Sequence, residues 1–135
     1  MDRTQTLRLI DEHIQNINLK KHLFAVEAVM RRFAKHFSGD EIKWALAGLL
    51  HDIDWEKTKV NFVEHTLGAE RILTEAGVDP EIVKAIKVHN WNHGIAPETL
   101  MEKVLFFVEE LTGLITAAAL VRPDKKLAGV TVDSV

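Results

Sequence analysis

The segment Trp44-Ala-Leu-Ala-Gly-Leu-Leu-His-Asp52 decides the fold of this chain. Its apolar residues follow the three-to-four spacing of an α-helix that buries one face. Two ionisable residues, His51 and Asp52, end this apolar run, and burying them is costly unless a partner compensates their polarity. A metal ion is the simplest such partner, because imidazole nitrogens and carboxylate oxygens together suit Fe, Mn and Zn.

The same apolar spacing recurs along almost the whole chain, and no stretch alternates convincingly at the period of a strand. We therefore expect an all-α fold, a bundle of about six helices in one domain covering residues 1–135. Capping residues set the predicted starts, namely Asn18, Asp40, Asp79 before Pro80, and the Thr99/Glu102 capping box. The predicted helices cover residues 3–14, 18–38, 40–52, 61–76, 79–89 and 99–120, with a loop over 91–97. The tail ends on a turn-like Asp133-Ser134, which suggests that a C-terminal segment is lacking.

Composition excludes several classes of protein. A net charge of −3 gives no global basic field, so we expect neither a nucleic-acid polymer nor a membrane as partner. The absence of cysteine excludes disulfides, thiolate nucleophiles and cysteine-based metal sites. The N-terminus has no signal-peptide pattern, and no apolar run is long enough to cross a bilayer, so the expected location is the cytoplasm.

Four further residues could converge on the His51-Asp52 pair: His22, His65, His89 and Glu109. Taken singly, each has a plainer interpretation as a surface histidine, a histidine at a helix end or a solvated carboxylate. Gly68 lies one turn after His65, and a glycine inside a helix often reflects the close approach of a neighbouring group. The set as a whole therefore predicts a metal site among helices.

The order of these residues resembles the HD-domain metal-dependent phosphohydrolases. Leu46-Ala-Gly-Leu-Leu-His-Asp-Ile-Asp-Trp-Glu-Lys-Thr58 is similar to the stretch that bears the family motif, and Glu109-Glu-Leu-Thr-Gly-Leu-Ile115 is similar to its final acidic motif. The resemblance spans roughly residues 20–121. It implies an HD-type helical bundle in which His22, His51 and Asp52 bind one metal, with Asp52 able to bridge to a second. His65 and His89 fall where the dinuclear subset of the family carries two extra histidines, and Glu109 stands where the family usually has Asp.

The resemblance implies a hydrolase, namely a metal-dependent phosphohydrolase that acts on a small phosphorylated substrate, either a phosphomonoester or a nucleotide. One or two divalent transition metal ions (Fe, Mn or Zn) are implied. Asp52 is central to catalysis, Asp54 could orient the water or accept a proton, and Lys57 could contact a substrate phosphate. An ordinary polar turn explains the segment that carries Asp54 and Lys57 equally well.

Two histidines, His36 and His93, match no family ligand and are expected on the surface or in a loop, with His93 the better candidate for a pocket mouth. Two other functions stay open. One is an HD-fold metal-binding sensor or interaction domain with little or no turnover, which both Glu109 and the expected short C-terminus favour, and the other is a metal-free helical interaction domain. The sequence is also compatible with a homodimer.

Overall fold

The computed structural model describes all residues 1–135 and contains seven α-helices and no β-strand. The helices are α1 (Arg3–His13), α2 (Ile17–His36), α3 (Glu41–Leu50), α4 (Trp55–Thr58), α5 (Leu67–Glu75), α6 (Pro80–His89) and α7 (Leu100–Leu120). Short 3-10 turns lie at Trp91–His93, Leu127–Gly129 and Val132–Ser134. Because α4 is a single turn, the prediction of an all-α bundle of about six helices is confirmed.

Three of the predicted helix starts are confirmed by their caps. The Asp40 carboxylate accepts hydrogen bonds from the N–H groups of Ile42 and Lys43 at the start of α3. Asp79 caps α6, whose first residue is Pro80. Thr99 and Glu102 form a reciprocal capping box at the start of α7. These side chains satisfy N–H groups that the helix itself leaves unpaired.

Two helix starts differ from the prediction. Asn16, not Asn18, caps α2, because its side chain accepts from the N–H groups two and three residues further on. The predicted helix over 61–76 is helical only from Leu67. Thr66 breaks it with a φ of 70°, in the left-handed region that β-branched residues disfavour. The Asp54 carboxylate, twelve or more residues upstream, accepts from the N–H groups of Thr66 and Ala69 and so caps α5 from outside.

Helices α2 and α3 pack closely on each other, and His51 and Asp52 directly follow the last residue of α3. Gly48 of α3 lies against α2 so closely that an added Cβ would come within 2.9 Å of the Val26 carbonyl oxygen. Helices α5 and α6 pack on each other, and α7 packs on α2 and α6. One continuous apolar core joins these elements. No helix combines the length and the apolar composition that a bilayer crossing requires.

Candidate metal centre

Four histidine side chains surround the Asp52 carboxylate. Its Oδ1 lies 3.3 Å from His65 Nε2 and 3.7 Å from His89 Nε2. Its Oδ2 lies 3.5 Å from His51 Nε2 and 3.9 Å from His22 Nε2. The structure thus brings together five of the six residues that the sequence nominated as metal ligands, and every imidazole presents the same nitrogen.

These donors form two groups that share Asp52. His22, His51 and Asp52 make one group, and Asp52, His65 and His89 make the other, with the donor atoms of each group within 4.8 Å of one another. His51, His65 and His89 are buried, whereas the His22 side chain keeps 25% of its surface exposed. The centre therefore reaches solvent at His22.

The two helix ends fix the orientation of His51 and His89. His51 Nδ1 lies 2.8 Å from the Gly48 carbonyl oxygen, and His89 Nδ1 lies 2.6 Å from the Ile86 carbonyl oxygen. The last carbonyls of a helix have no partner within the helix, so an imidazole three residues on can donate to them. Since Nδ1 must carry the hydrogen in this contact, each ring is held with its Nε2 toward the centre, where His51 Nε2 also lies 3.1 Å from His22 Nε2.

The other two histidines are oriented by side chains. His65 Nδ1 lies 2.9 Å from Asp54 Oδ1, a carboxylate that is itself buried. Gly68 makes room for it, because an added Cβ there would come within 2.8 Å of Asp54 Oδ2. His22 Nδ1 lies 3.4 Å from the hydroxyl oxygen of Thr112, which donates to the Glu109 carbonyl.

Burial and the crowding of histidines set the charge states in the centre. Burial lowers the pKa of His51 to about 4, so that this imidazole is neutral at neutral pH. Burial opposes the ionised form of Asp52, yet His51, His65 and His89 together hold its pKa well below its usual range. Burial also opposes a protonated His65, but Asp52 and Asp54 raise its pKa to about 9. The donor set consists of one carboxylate and four imidazoles, and these ligand types fit a divalent transition metal ion.

Glu109 lies near these donors but belongs to neither group. It is half-buried on α7, and its pKa is raised, first by burial and then by the charge of Asp52. Glu110, the neighbouring glutamate, is exposed. Glu109 is therefore a carboxylate at the rim of the centre.

The two other predicted catalytic residues lie in different surroundings. Both oxygens of Asp54 are taken up by protein donors, namely His65 and the N–H groups of Thr66 and Ala69. This contact set makes Asp54 a residue that positions His65 and argues against its expected contact with water. Lys57 is exposed on α4 and forms no ion pair.

The sequence did not predict two sets of residues that contact His65. Trp55 and Phe62 pack on the His65 ring, with centroid separations of 4.9 Å and 5.6 Å. His93, a surface or loop histidine in the prediction and the better candidate for a pocket mouth, places its Nε2 2.9 Å from the His65 carbonyl oxygen. His36 is exposed, as expected of a surface histidine. The only sequence signal for these contacts is the density of aromatic residues on both sides of His65.

The chain is an all-helical bundle whose histidine-rich centre is built around a His-Asp pair. A comparison with known protein families identifies the class of protein that has these features. The family model described as HD domain matches residues 19–126, and the chain belongs to this family. The expected membership of the HD-domain superfamily is confirmed.

One curated relative is the tRNA (cytidine(56)-2'-O)-methyltransferase of Picrophilus torridus, which is 26% identical over 128 residues. The match covers 84% of this chain and 37% of that relative, so the chain spans little more than a third of the length of the relative. No solved structure matches the chain.

Proposed function

We propose that this protein is a metal-dependent phosphohydrolase that acts on a small phosphomonoester or a nucleotide. The observation that supports this proposal is the convergence of four Nε2 atoms on the one carboxylate shared by two donor groups. Membership of the HD-domain family points in the same direction.

In this proposal His22, His51 and Asp52 hold one divalent ion, and Asp52, His65 and His89 hold a second. Fe, Mn or Zn suits this mixed nitrogen and oxygen donor set. Such ions supply a water that is deprotonated near neutral pH and offset negative charge on phosphoryl oxygens.

In this proposal the chain's own residues bind the ions and orient the ligand side chains. Asp52 is shared by the two groups, while Gly48, Ile86 and Asp54 supply the acceptors that hold three imidazoles in place. The exposed ammonium of Lys57 is proposed to contact the substrate phosphate. Glu109 at the rim is proposed as a further carboxylate for the His22 group.

The test combines metal analysis with a substrate screen on protein purified without a histidine tag. We expect bound transition metal, and hydrolysis of generic phosphatase substrates or nucleotides once Mn, Fe or Co is added. Lys57→Ala should raise KM with unchanged metal content, which is the signature of lost substrate binding. Metal-free protein that takes up no added ion would contradict the proposal.

A second candidate function is an HD-fold metal-binding sensor or interaction domain with little turnover. Two observations favour it: Glu109 lies outside both donor groups, and the chain resembles a part of a relative whose stated activity is methyl transfer. Metal binding without hydrolysis across the whole substrate panel would support this function over the first.

A further inference from the structure

The carbonyl oxygen of His65 accepts two hydrogen bonds from the loop that follows α6. Asn90 Nδ2 lies 2.9 Å from it, and His93 Nε2 also lies 2.9 Å from it. A carbonyl has two lone pairs, so these contacts satisfy it fully. Because an oxygen acceptor is its nearest partner, His93 Nε2 must carry the hydrogen and donate it.

The residue after His65 depends on the same loop. Thr66 is fully buried and holds a φ of 70°. Such a conformation persists only when the surroundings fix it. Here the Thr66 N–H donates to Asp54 Oδ2 at 2.8 Å, its hydroxyl donates to the Lys87 carbonyl at 3.3 Å, and its Oγ1 lies 3.0 Å from His93 Nε2.

Asn90 makes the connection stiff. Its Nδ2 also reaches the Phe62 carbonyl oxygen at 3.2 Å, and its Oδ1 accepts from the N–H of Asn92 at 3.0 Å. Asn90 directly follows His89, so its side chain links the end of α6 to the segment that carries His65. The linked residues, His65 and His89, are both members of the second donor group, and none of these contacts involves His22 or His51.

We propose that Asn90 and His93 are positioning residues that hold His65 against Asp52 and so set the affinity of the second donor group, independently of the first. This inference rests on the proposed metal-binding function. His93 thus supports the metal centre without being a ligand, because its imidazole is hydrogen-bonded to a backbone carbonyl and a hydroxyl oxygen.

Cobalt titration of chelator-treated protein, followed by visible absorption and calorimetry, tests the proposal. We expect two binding steps in the unaltered protein. In His93→Ala one step should weaken by about 10- to 100-fold, the usual cost of removing a group that orients a metal ligand, while the other step stays within about twofold. His93→Gln retains an N–H donor and should restore most of the loss. His36→Ala, which removes an exposed histidine, is the matched control.

A readout in metal-free protein separates this proposal from the proposed function. His93→Ala should speed hydrogen exchange of the Thr66 amide and shift the NMR signals of the His65 ring, with the exchange of the buried Leu105 amide unchanged. An unaltered protein that takes up no cobalt would contradict the proposed function, and the exchange data would still decide the positioning role. Unchanged Thr66 exchange, or equal weakening of both cobalt steps, would overturn the inference.

Discussion

Two buried carboxylates, Asp52 and Glu102, are satisfied in opposite ways. Glu102 Oε2 accepts from the N–H groups of Glu98 and Thr99 at 2.6 Å and 3.1 Å, and Lys84 Nζ lies 3.5 Å from its Oε1. Asp52 has only histidine rings around it, drawn from four separate segments of the chain. Glu102 finds its backbone donors directly before its own helix, whereas Asp52 gathers imidazoles that can themselves bind a metal.

The two surroundings also differ in what removal of the carboxylate leaves behind. Without Glu102, two helix N-terminal N–H groups lose their acceptor, which is a cost to stability. Without Asp52, four imidazoles lose the group they share, and the centre loses the one anion common to both donor sets.

The largest effect is expected at Asp52. Asp52→Ala should abolish metal retention and any hydrolysis, with a loss of affinity of about a thousandfold or more, since an anionic ligand is removed from both groups at once. Metal content by elemental analysis measures this. Stoichiometric metal in the variant would break the comparison, because Asp52 would then be another structural carboxylate.

At Glu102 the expected effect falls on stability alone. Glu102→Ala should lower the free energy of unfolding by about 2 kcal/mol at neutral pH, because the capping box and the charged hydrogen bonds are lost. Metal affinity should stay unchanged. Chemical denaturation with a parallel cobalt titration checks both expectations.

The pH dependence of the stability that Glu102 contributes gives a further test. Burial raises the pKa of Glu102, but the N–H groups of Glu98 and Thr99 together with Lys84 outweigh it and leave the pKa lowered from 4.5. Because the pKa of Glu102 is lower in the folded chain than in the unfolded chain, the ionised carboxylate stabilises the fold at pH values above the unfolded-state pKa. This stabilisation is lost as the pH falls through the folded-state pKa. The stability difference between Glu102→Gln and the unaltered protein should therefore shrink below about pH 4.5. A difference that grows on acidification would contradict this sign.

Gly68 connects fold and site, so its substitution should affect both. Gly68→Ala places a Cβ 2.8 Å from Asp54 Oδ2, and the Asp54 carboxylate has little freedom to move because three hydrogen bonds hold it. We expect a loss of about 1–2 kcal/mol and a weaker second donor group. Gly113→Ala is the matched control, because its Cβ meets nothing within 4 Å, and it should gain up to about 1 kcal/mol of helix stability.

The smallest effect is expected at Glu109. Glu109→Gln removes one negative charge at the rim of the centre, an interaction worth about 1 kcal/mol, and should therefore weaken metal binding about fivefold. Glu109→Asp keeps the charge and should keep or raise the metal affinity. Metal titration of both variants measures this. An unchanged affinity in the Gln variant would place Glu109 with the carboxylates that only contact solvent.

The features that sequence predicts well are the local ones. The Thr99/Glu102 capping box and the Asp79-Pro80 start act within three residues, so their pattern is visible in the chain itself. Gly68 was expected to admit a close neighbour, and that neighbour is Asp54.

The features that sequence missed are non-local. The start of α5 depends on Asp54, whose partners lie 11 to 15 residues away, and no period or cap pattern encodes such a distance. The contact of His93 with the His65 carbonyl spans 28 residues. Residue order nominated the histidines that surround Asp52, but two of the four groups that orient their rings are backbone carbonyls, which cannot be recognised by residue type.

The distribution of the histidines along the chain has a thermodynamic consequence. His22, His51, His65 and His89 lie in segments that are adjacent only in the folded chain. A cation held as proposed would bind the native state and not the unfolded one, and at a free concentration one hundredfold above its Kd it would add about 2.7 kcal/mol to the free energy of unfolding. Such a cation would act as a removable cross-link between distant parts of the sequence, with a strength set by metal concentration, and the melting temperature would follow the free metal concentration.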